Sequence, residues 1–162
     1  MRAVDAGVLA CAVNRYAPEH ARASAVIDAL ANGVAPWAIA WPAAHDFVRI
    51  VTHPHRVVRP LAPAEAWAYL ERVAESSALR MLGPTERHGE TMAAILEAPG
   101  FAAADLLGAE TAAILWEHGV RELLSADRGM RRYPFLSLRD PLHGPEWSAR
   151  EIPARVYRGG LS

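Results

Sequence analysis

Residues 4–9 read Val4-Asp5-Ala6-Gly7-Val8-Leu9, an apolar run that carries a single carboxylate. The apolar side chains predict a short buried strand, and the small polar positions predict a turn at its carboxyl end. Residues 37–41, 79–84 and 121–125 are short apolar runs of the same kind, bounded by turn residues. The sequence therefore predicts four buried strands.

Helical patterns separate these strands. Apolar residues recur at helical spacing in residues 18–31, 42–53, 87–96 and 105–118, and in a helix that begins at Pro63. Strands that alternate with helices predict an α/β fold, with a central parallel β-sheet covered by helices on both faces. In such a sheet, functional sites form beyond the carboxyl ends of the strands.

Composition limits the class of protein. Of the 162 residues, 52% are hydrophobic, which is enough for one core without disulfides. The single cysteine, Cys11, lies in an apolar run and is predicted to be buried and inert. The net charge is −1 and all 17 basic residues are arginine, so bulk charge gives no reason to bind nucleic acid. Neither a signal peptide nor a run of about 18 apolar residues is evident, so we expect a cytoplasmic protein with no membrane segment.

Three aspartates fall where a parallel sheet would bring them to one edge. Asp5 and Asp127 each lie where a predicted strand gives way to a loop, and Asp46 lies near the start of the helix after the second strand. Carboxylates held together repel one another and are tolerated mainly when a cation lies between them. Magnesium suits such a site. Aspartate at a strand end is also common in proteins without a metal, so spacing alone leaves both interpretations open.

Four segments resemble the PIN-domain family, and in particular the VapC-type toxins of type II toxin–antitoxin systems. Residues 4–9 look like the family's opening Asp-Thr-Asn-Val-Leu motif. Residues 41–54, which contain Asp46 and end in Thr52-His53-Pro54, are similar to the helix that bears the second acid. Residues 108–119 resemble the Asp-Ala-His-Leu-Ala-Ala helix, and residues 125–142 resemble the closing segment. The segments occur in order from residue 2 to about residue 142, which defines a predicted PIN domain of residues 1–142.

The resemblance implies a PIN-like fold and a magnesium- (or manganese-) dependent endoribonuclease that cuts structured RNA of the tRNA or ribosomal RNA class. Asp5, Asp46 and Asp127 would be the catalytic and metal-binding residues, because they match the family's acidic positions. A VapB-type antitoxin is the implied partner, RNA the substrate and a homodimer the implied assembly.

The chain departs from the family pattern at four positions of this site. Asp46 replaces the usual glutamate, Gly7 stands at an asparagine position and Gly129 stands where a further aspartate often follows. Gly108 occupies the position of the family's third acid. Asp105, about one helical turn earlier, is the neighbour that could act as a metal ligand instead.

These departures leave two interpretations. In the first, Asp105 compensates for Gly108 and the chain is a ribonuclease with weakened activity. In the second, the site has lost its metal and the chain is an inactive binding module that dimerises and binds an antitoxin or RNA.

Arginines flank the acidic positions. Arg49 follows Asp46, and Arg128, Arg131 and Arg132 follow Asp127. They are candidates for binding RNA phosphates, and they are equally consistent with ordinary solvated surface. Arg56 and Arg59 belong to the same basic stretch as Arg49.

A C-terminal extension follows the predicted domain. Residues 143–162 contain four spaced apolar residues, which predict that the extension packs on the domain: Trp147, Ile152, Val156 and Tyr157.

Overall fold

A five-stranded sheet forms the centre of the computed structural model, which describes residues 1–148. The strands are β1 (Arg2–Val4), β2 (Trp37–Ala40), β3 (Leu79–Leu82), β4 (Glu122–Leu124) and β5 (Ser137–Arg139). Their order across the sheet is β3-β2-β1-β4-β5, and every neighbouring pair is parallel. At the centre, Ala3 of β1 is paired with Ala38 on one side and Leu123 on the other. The predicted parallel sheet is therefore confirmed.

Helices cover both faces of this sheet. They are α1 (Ala6–Val13), α2 (His20–Ala31), α3 (Trp41–Val51), α4 (Pro63–Ala74), α5 (His88–Leu96) and α6 (Leu106–Glu117), with short 3₁₀ helices at Ala103–Asp105 and Arg128–Arg132. Val4 belongs to the core layer shared with the first four helices, whereas its neighbour Ala3 belongs to the layer shared with α6. Successive strand residues thus face opposite layers, and burial on both faces explains why β2 is apolar at every position.

The predicted strand over residues 4–9 is wrong beyond Val4. The chain leaves the sheet at Asp5, whose side chain accepts a hydrogen bond from the Ala6 N–H at 2.8 Å and caps α1. Helix α1 is buried along most of its length, with Val8 and Leu9 fully buried. A short helix that is apolar on all sides has no helical periodicity to show, so it resembles a buried strand.

Strand β5 was missed for the opposite reason. Its three residues are exposed or half-buried, so no apolar run marks it in the sequence. It lies at the edge of the sheet, where a strand pairs with a neighbour on one side only and needs little burial.

The start of the C-terminal extension contacts the body of the domain. Trp147 packs against the layer that contains Val4, and the Arg2 guanidinium lies 5.3 Å from its ring centre. Arg22 of α2 donates hydrogen bonds to the carbonyls of Gly144 and Pro145, at 3.0 Å and 2.8 Å. Ile152, Val156 and Tyr157 lie outside the described residues, so packing of the whole extension stays a prediction. No helix within residues 1–148 is long and apolar enough to cross a membrane.

Candidate active site

All four acidic residues that the sequence singled out line one cavity. The cavity has a volume of about 320 Å³ and is bounded by residues that follow β1 and β4, by α3 and by the start of α6. Its acidic residues are Asp5, Asp46, Asp105 and Asp127. The sheet has therefore brought residues up to 122 positions apart to one edge, as the parallel topology predicts.

Asp5 is the most constrained of these acids. One carboxylate oxygen accepts the Ala6 N–H, and the other accepts a hydrogen bond from the Ser125 hydroxyl at 2.6 Å. Burial raises the pKa of Asp5 above its ordinary value, and the nearby carboxylates of Asp127 and Asp46 raise it further. The hydrogen bonds from Ser125 and Ala6 act in the opposite direction without cancelling the burial. Asp5 is thus a carboxyl group that would be more easily ionised if a cation were beside it.

Asp127 begins the loop that follows β4. Its Oδ1 accepts the Gly129 N–H at 2.8 Å, which fixes the start of the 3₁₀ helix Arg128–Arg132. Its own N–H donates to the Ser125 hydroxyl oxygen at 2.9 Å. The residue is exposed, so its carboxylate is accessible from the cavity.

Asp46 and Asp105 are each paired with an arginine. Arg49, three residues after Asp46 on α3, donates from Nε to Asp46 Oδ1 at 2.8 Å. Arg132 donates from Nη1 to Asp105 Oδ2, which also accepts the Ala102 N–H at 3.3 Å. Both arginines line the cavity. Pairing with a guanidinium offsets the charge of each carboxylate and so weakens its attraction for a cation, although in each case only one carboxylate oxygen is engaged.

The donor atoms of the cavity suit a hard divalent cation. Carboxylate oxygens are the ligands that Mg²⁺ prefers, and a bound Mg²⁺ typically uses one or two carboxylates, several waters and substrate phosphates. Of the four acids that line the cavity, Asp5 and Asp127 are the two that no arginine pairs with among the described residues. Within residues 1–148, no three acidic, histidine or cysteine side chains are gathered closely enough to form a metal centre by themselves. The assignment of Asp5, Asp46 and Asp127 as metal ligands therefore stays a prediction.

The three glycines at family polar positions differ in the room around them. A Cβ on Gly7 would meet no atom within 4 Å, and a Cβ on Gly108 would meet the Met130 sulfur at 3.4 Å. A Cβ on Gly129 would lie 3.0 Å from Asp127 Oδ1, which its own N–H already binds. Side chains at Gly7 and Gly108 are therefore sterically acceptable, whereas one at Gly129 would disturb Asp127.

The predicted arginines divide into two groups. Arg49 and Arg132 line the cavity, whereas Arg128 and Arg131 are exposed on the same 3₁₀ helix and do not line it. A 3₁₀ helix turns through about 120° per residue and directs its side chains to different sides, so the role of Arg128 and Arg131 in RNA binding stays a prediction.

Two polar residues close to the acids, Ser125 and Thr111, were not assigned a role from the sequence. Ser125 joins Asp5 to Asp127, and Thr111 is a buried polar residue of α6 that lines the cavity one turn after Gly108. Arg56 reaches the cavity from the loop after α3. Ser125 directly precedes Ala126-Asp127 at the end of a predicted strand, which is the one signal that could have marked it.

Comparison with known proteins identifies relatives that this chain matches over almost their whole length. No family model matches the chain. It is 28% identical over 141 residues to Ribonuclease VapC48 of Mycobacterium tuberculosis, covering 86% of this chain and 97% of that protein. It is 32% identical over 147 residues to VapC ribonuclease Mb2897 of Mycobacterium bovis, covering 89% of this chain and 97% of that protein.

Solved structures share the fold. VapC20 of Mycobacterium tuberculosis, described as a sarcin–ricin loop cleaving toxin, superposes with a TM-score of 0.64 at 14% identity, over 86% of this chain and all of that one. VapBC2 from Rickettsia felis, solved with a promoter DNA fragment, gives a TM-score of 0.59 at 13% identity, over 85% of this chain and 96% of that one.

Proposed function

The chain belongs to the VapC family of PIN-domain ribonucleases, and from that premise we propose that it is a divalent-metal-dependent endoribonuclease acting on structured RNA. One observation supports this most directly: Asp5, Asp46, Asp105 and Asp127 line a single cavity. Carboxylates near one another, with the pKa of the innermost raised by burial, form an environment that a cation stabilises. The residues that the sequence marks as candidate ligands therefore line the same cavity in the folded chain.

We propose Mg²⁺ or Mn²⁺ as the metal, held by Asp5 and Asp127 and by Asp46 after Arg49 has moved. When bound, such an ion would lower the pKa of a water molecule and stabilise charge that develops on the phosphate. Asp105 is the remaining candidate ligand, and it replaces the carboxylate that is absent at Gly108.

The chain's own residues have separable tasks in this proposal. Ser125 holds the Asp5 carboxylate in one orientation and at the same time binds the Asp127 backbone. Arg49 and Arg132 neutralise Asp46 and Asp105 in the free protein. When RNA enters, its phosphates offer these guanidinium groups an alternative partner, which frees the carboxylates.

We propose tRNA or ribosomal RNA as the substrate class, a VapB-type antitoxin as the protein partner, a homodimer as the assembly and the cytoplasm as the compartment. The shared fold with VapC20, a sarcin–ricin loop cleaving toxin, supports structured RNA. The shared fold with VapBC2 supports an antitoxin partner. Copurification of the chain with the product of an adjacent gene, followed by mass measurement in solution, tests the partner and the dimer.

Cleavage of RNA by the purified protein is the central experiment. Total tRNA and ribosomal RNA are incubated with the protein in Mg²⁺, in Mn²⁺ and in EDTA, and the products are mapped by primer extension. We expect discrete cuts that require the metal and disappear in Asp5→Asn. Identical cuts from the wild-type protein and this variant would contradict the catalytic assignment.

An inactive binding module is the second candidate function. It is favoured by the arginine pairing of Asp46 and Asp105 and by the absence of a carboxylate at Gly108. Isothermal calorimetry with Mg²⁺ and Mn²⁺ separates the two functions. Binding of RNA without measurable metal binding or cleavage would establish the module and exclude the nuclease.

A further inference from the structure

The loop between α3 and α4 separates two cavities. Residues 52–62 form this loop. Ile50, near the end of α3, lines the acidic cavity, whereas the next residue, Val51, lines a second cavity of about 150 Å³. Arg56 of the loop lines the acidic cavity, and Val57 and Arg59 line the second cavity, so the loop runs from one cavity to the other.

Arg56 lies on this loop at the acidic cavity. It is exposed, and its guanidinium makes no hydrogen bond or ion pair with any other described residue, although its backbone N–H donates to the His53 carbonyl at 3.2 Å. Arg49 and Arg132 line the same cavity, but each already binds a carboxylate. Arg56 is therefore the cavity's guanidinium that can bind a phosphate without first breaking an ion pair.

Arg59 and Tyr16 contact each other in the lining of the second cavity. The Arg59 guanidinium carbon lies 4.9 Å from the Tyr16 ring centre, and its Nη1 donates to the Tyr16 hydroxyl at 2.7 Å. Tyr16 nevertheless remains 45% exposed. Arg59 has a φ of 57°, the only left-handed backbone among the non-glycine residues described. This backbone conformation is energetically costly for arginine. It places the Arg59 side chain in contact with Tyr16.

The second cavity carries positive charge without compensating acids. Arg15 and Arg59 line it, and none of its lining residues is acidic. The guanidinium of Arg15, like that of Arg56, has no hydrogen bond or ion pair with another described residue. A groove with cations and an exposed aromatic ring is the combination by which proteins hold single-stranded nucleic acid.

We propose that one strand of the RNA substrate passes from the acidic cavity over Arg56 to this second cavity, where an unpaired base stacks on Tyr16 and phosphates bind Arg15 and Arg59. This track rests on the proposed ribonuclease function and extends it, because it predicts that the RNA is unpaired on that side of the cut. An acidic peptide could use the same cations, but it would have no need of the exposed ring.

Binding of a fluorescein-labelled RNA hairpin with a uridine loop tests the track. Anisotropy is measured in EDTA and in the Asp5→Asn background, so that no cleavage occurs whatever the role of the acids. Arg56→Ala and Arg15→Ala should each weaken binding and lower the slope of log K against log salt by about 0.7. Tyr16→Ala should weaken binding about tenfold with little change in that slope.

Three control variants separate the track from general charge and from folding. Arg87→Ala removes one positive charge at the start of α5, outside both cavities, and should leave binding unchanged. Tyr16→Phe keeps the ring but loses the hydrogen bond to Arg59, and should retain most of the affinity. Arg59→Gly removes the guanidinium while giving the backbone the residue that accepts a positive φ, so it should weaken binding without lowering the melting temperature.

The outcomes distinguish the track from the function on which it rests. Metal-dependent cleavage with unchanged RNA affinity in Arg56→Ala, Arg15→Ala and Tyr16→Ala would overturn the track and leave the nuclease intact. Weakened RNA affinity in these variants without any cleavage would support the track and overturn the nuclease. Loss of antitoxin binding but not of RNA binding would assign the groove to the antitoxin and overturn the proposal.

Discussion

Ser125 donates a hydrogen bond to Oδ2 of Asp5 at 2.6 Å, across 120 residues of sequence. The same hydroxyl oxygen accepts the Asp127 N–H at 2.9 Å. Ser125 is 2% exposed, so both bonds lie in a region shielded from water, where hydrogen bonds hold geometry strongly. One hydroxyl therefore sets the orientation of the carboxyl group that follows β1 relative to the backbone that follows β4.

Ser125→Ala should shift the acid limb of the pH–rate profile to higher pH. The hydrogen bond from Ser125 lowers the pKa of Asp5, so its removal leaves burial less opposed and the pKa rises. A reaction that needs ionised Asp5 then requires a higher pH. The measurement is kcat/KM for tRNA cleavage against pH, with Ser125→Thr as the control that keeps a hydroxyl. A profile that falls in height without moving would show that Ser125 has no effect on Asp5 ionisation.

Asp5→Asn should abolish cleavage and stabilise the metal-free protein increasingly as pH rises. Burial raises the folded-state pKa of Asp5 above its ordinary value of 3.8. The stability that this group contributes is fully present below the ordinary pKa and is lost as pH rises through the higher folded-state pKa. Asparagine has no such loss and can still accept the Ala6 N–H as a helix cap.

Urea unfolding in EDTA at a series of pH values from acid to neutral measures this difference. The free energies of unfolding of the two proteins should diverge as pH increases, and added Mg²⁺ should stabilise the wild type more than the variant. A constant offset at every pH would mean that Asp5 does not titrate differently in the folded state.

Arg132→Gln should affect metal binding and RNA binding in opposite directions. Arg132 binds the Asp105 carboxylate, so its removal frees a potential metal ligand and removes a cation that RNA could use. We expect Mg²⁺ to bind several-fold more tightly and RNA more weakly. Arg131→Gln is the matched control, because Arg131 lies on the same 3₁₀ helix but outside the cavity. If both variants behave alike, the Arg132–Asp105 pair has no part in metal binding.

Truncation after Leu142 should destabilise the domain. It removes the contacts of Trp147 with the core layer that contains Val4 and with Arg2, and it removes both carbonyls that Arg22 binds. Losses of this kind typically cost about 1–3 kcal/mol. Thermal unfolding and mass in solution measure the effect, and Trp147→Ala in the full chain isolates the one aromatic contact. Unchanged melting in the truncated protein would show that residues 143–162 are dispensable for the fold.

Apart from β5, the sequence was sufficient for the parallel sheet and for the gathering of the acids, because both depend on topology. Asp5 and Asp127 follow strands that are paired in parallel, so their convergence needs only the alternation of strands and helices. It was insufficient for α1, because the all-round burial of Val8 and Leu9 removes the periodicity that identifies a helix.

The partners of the acids could not be predicted for a different reason. The pairing of Arg132 with Asp105 joins two short 3₁₀ helices, and the two residues are 27 positions apart in the sequence. Helical spacing could indicate the Asp46–Arg49 pair, since residues three apart on a helix are neighbours. Local spacing thus predicts contacts within an element, whereas contacts between elements that are far apart in sequence require the fold itself.

Gly108→Asp should strengthen the site, because it restores a carboxylate at the position where the family has its third acid. Gly108 is the third residue of α6, where the helix dipole favours a negative side chain, and its added Cβ would meet only the flexible Met130 sulfur at 3.4 Å. Replacing a helix glycine with alanine gives about 0.5–1 kcal/mol of stability, and aspartate, a poorer helix former, should give a smaller gain. We expect tighter Mg²⁺ binding and RNA cleavage raised about tenfold, equivalent to about 1.4 kcal/mol in the activation barrier. Gly108→Asn is the matched control, since it has the same shape without the charge and should gain neither. Gly129→Asp, by contrast, should lower RNA cleavage, because the added Cβ would lie 3.0 Å from Asp127 Oδ1. If Gly108→Asp folds normally but binds metal and cleaves RNA no better than Gly108→Asn, the loss of function extends to Gly7 and the shorter Asp46, and the binding-module function becomes the better account.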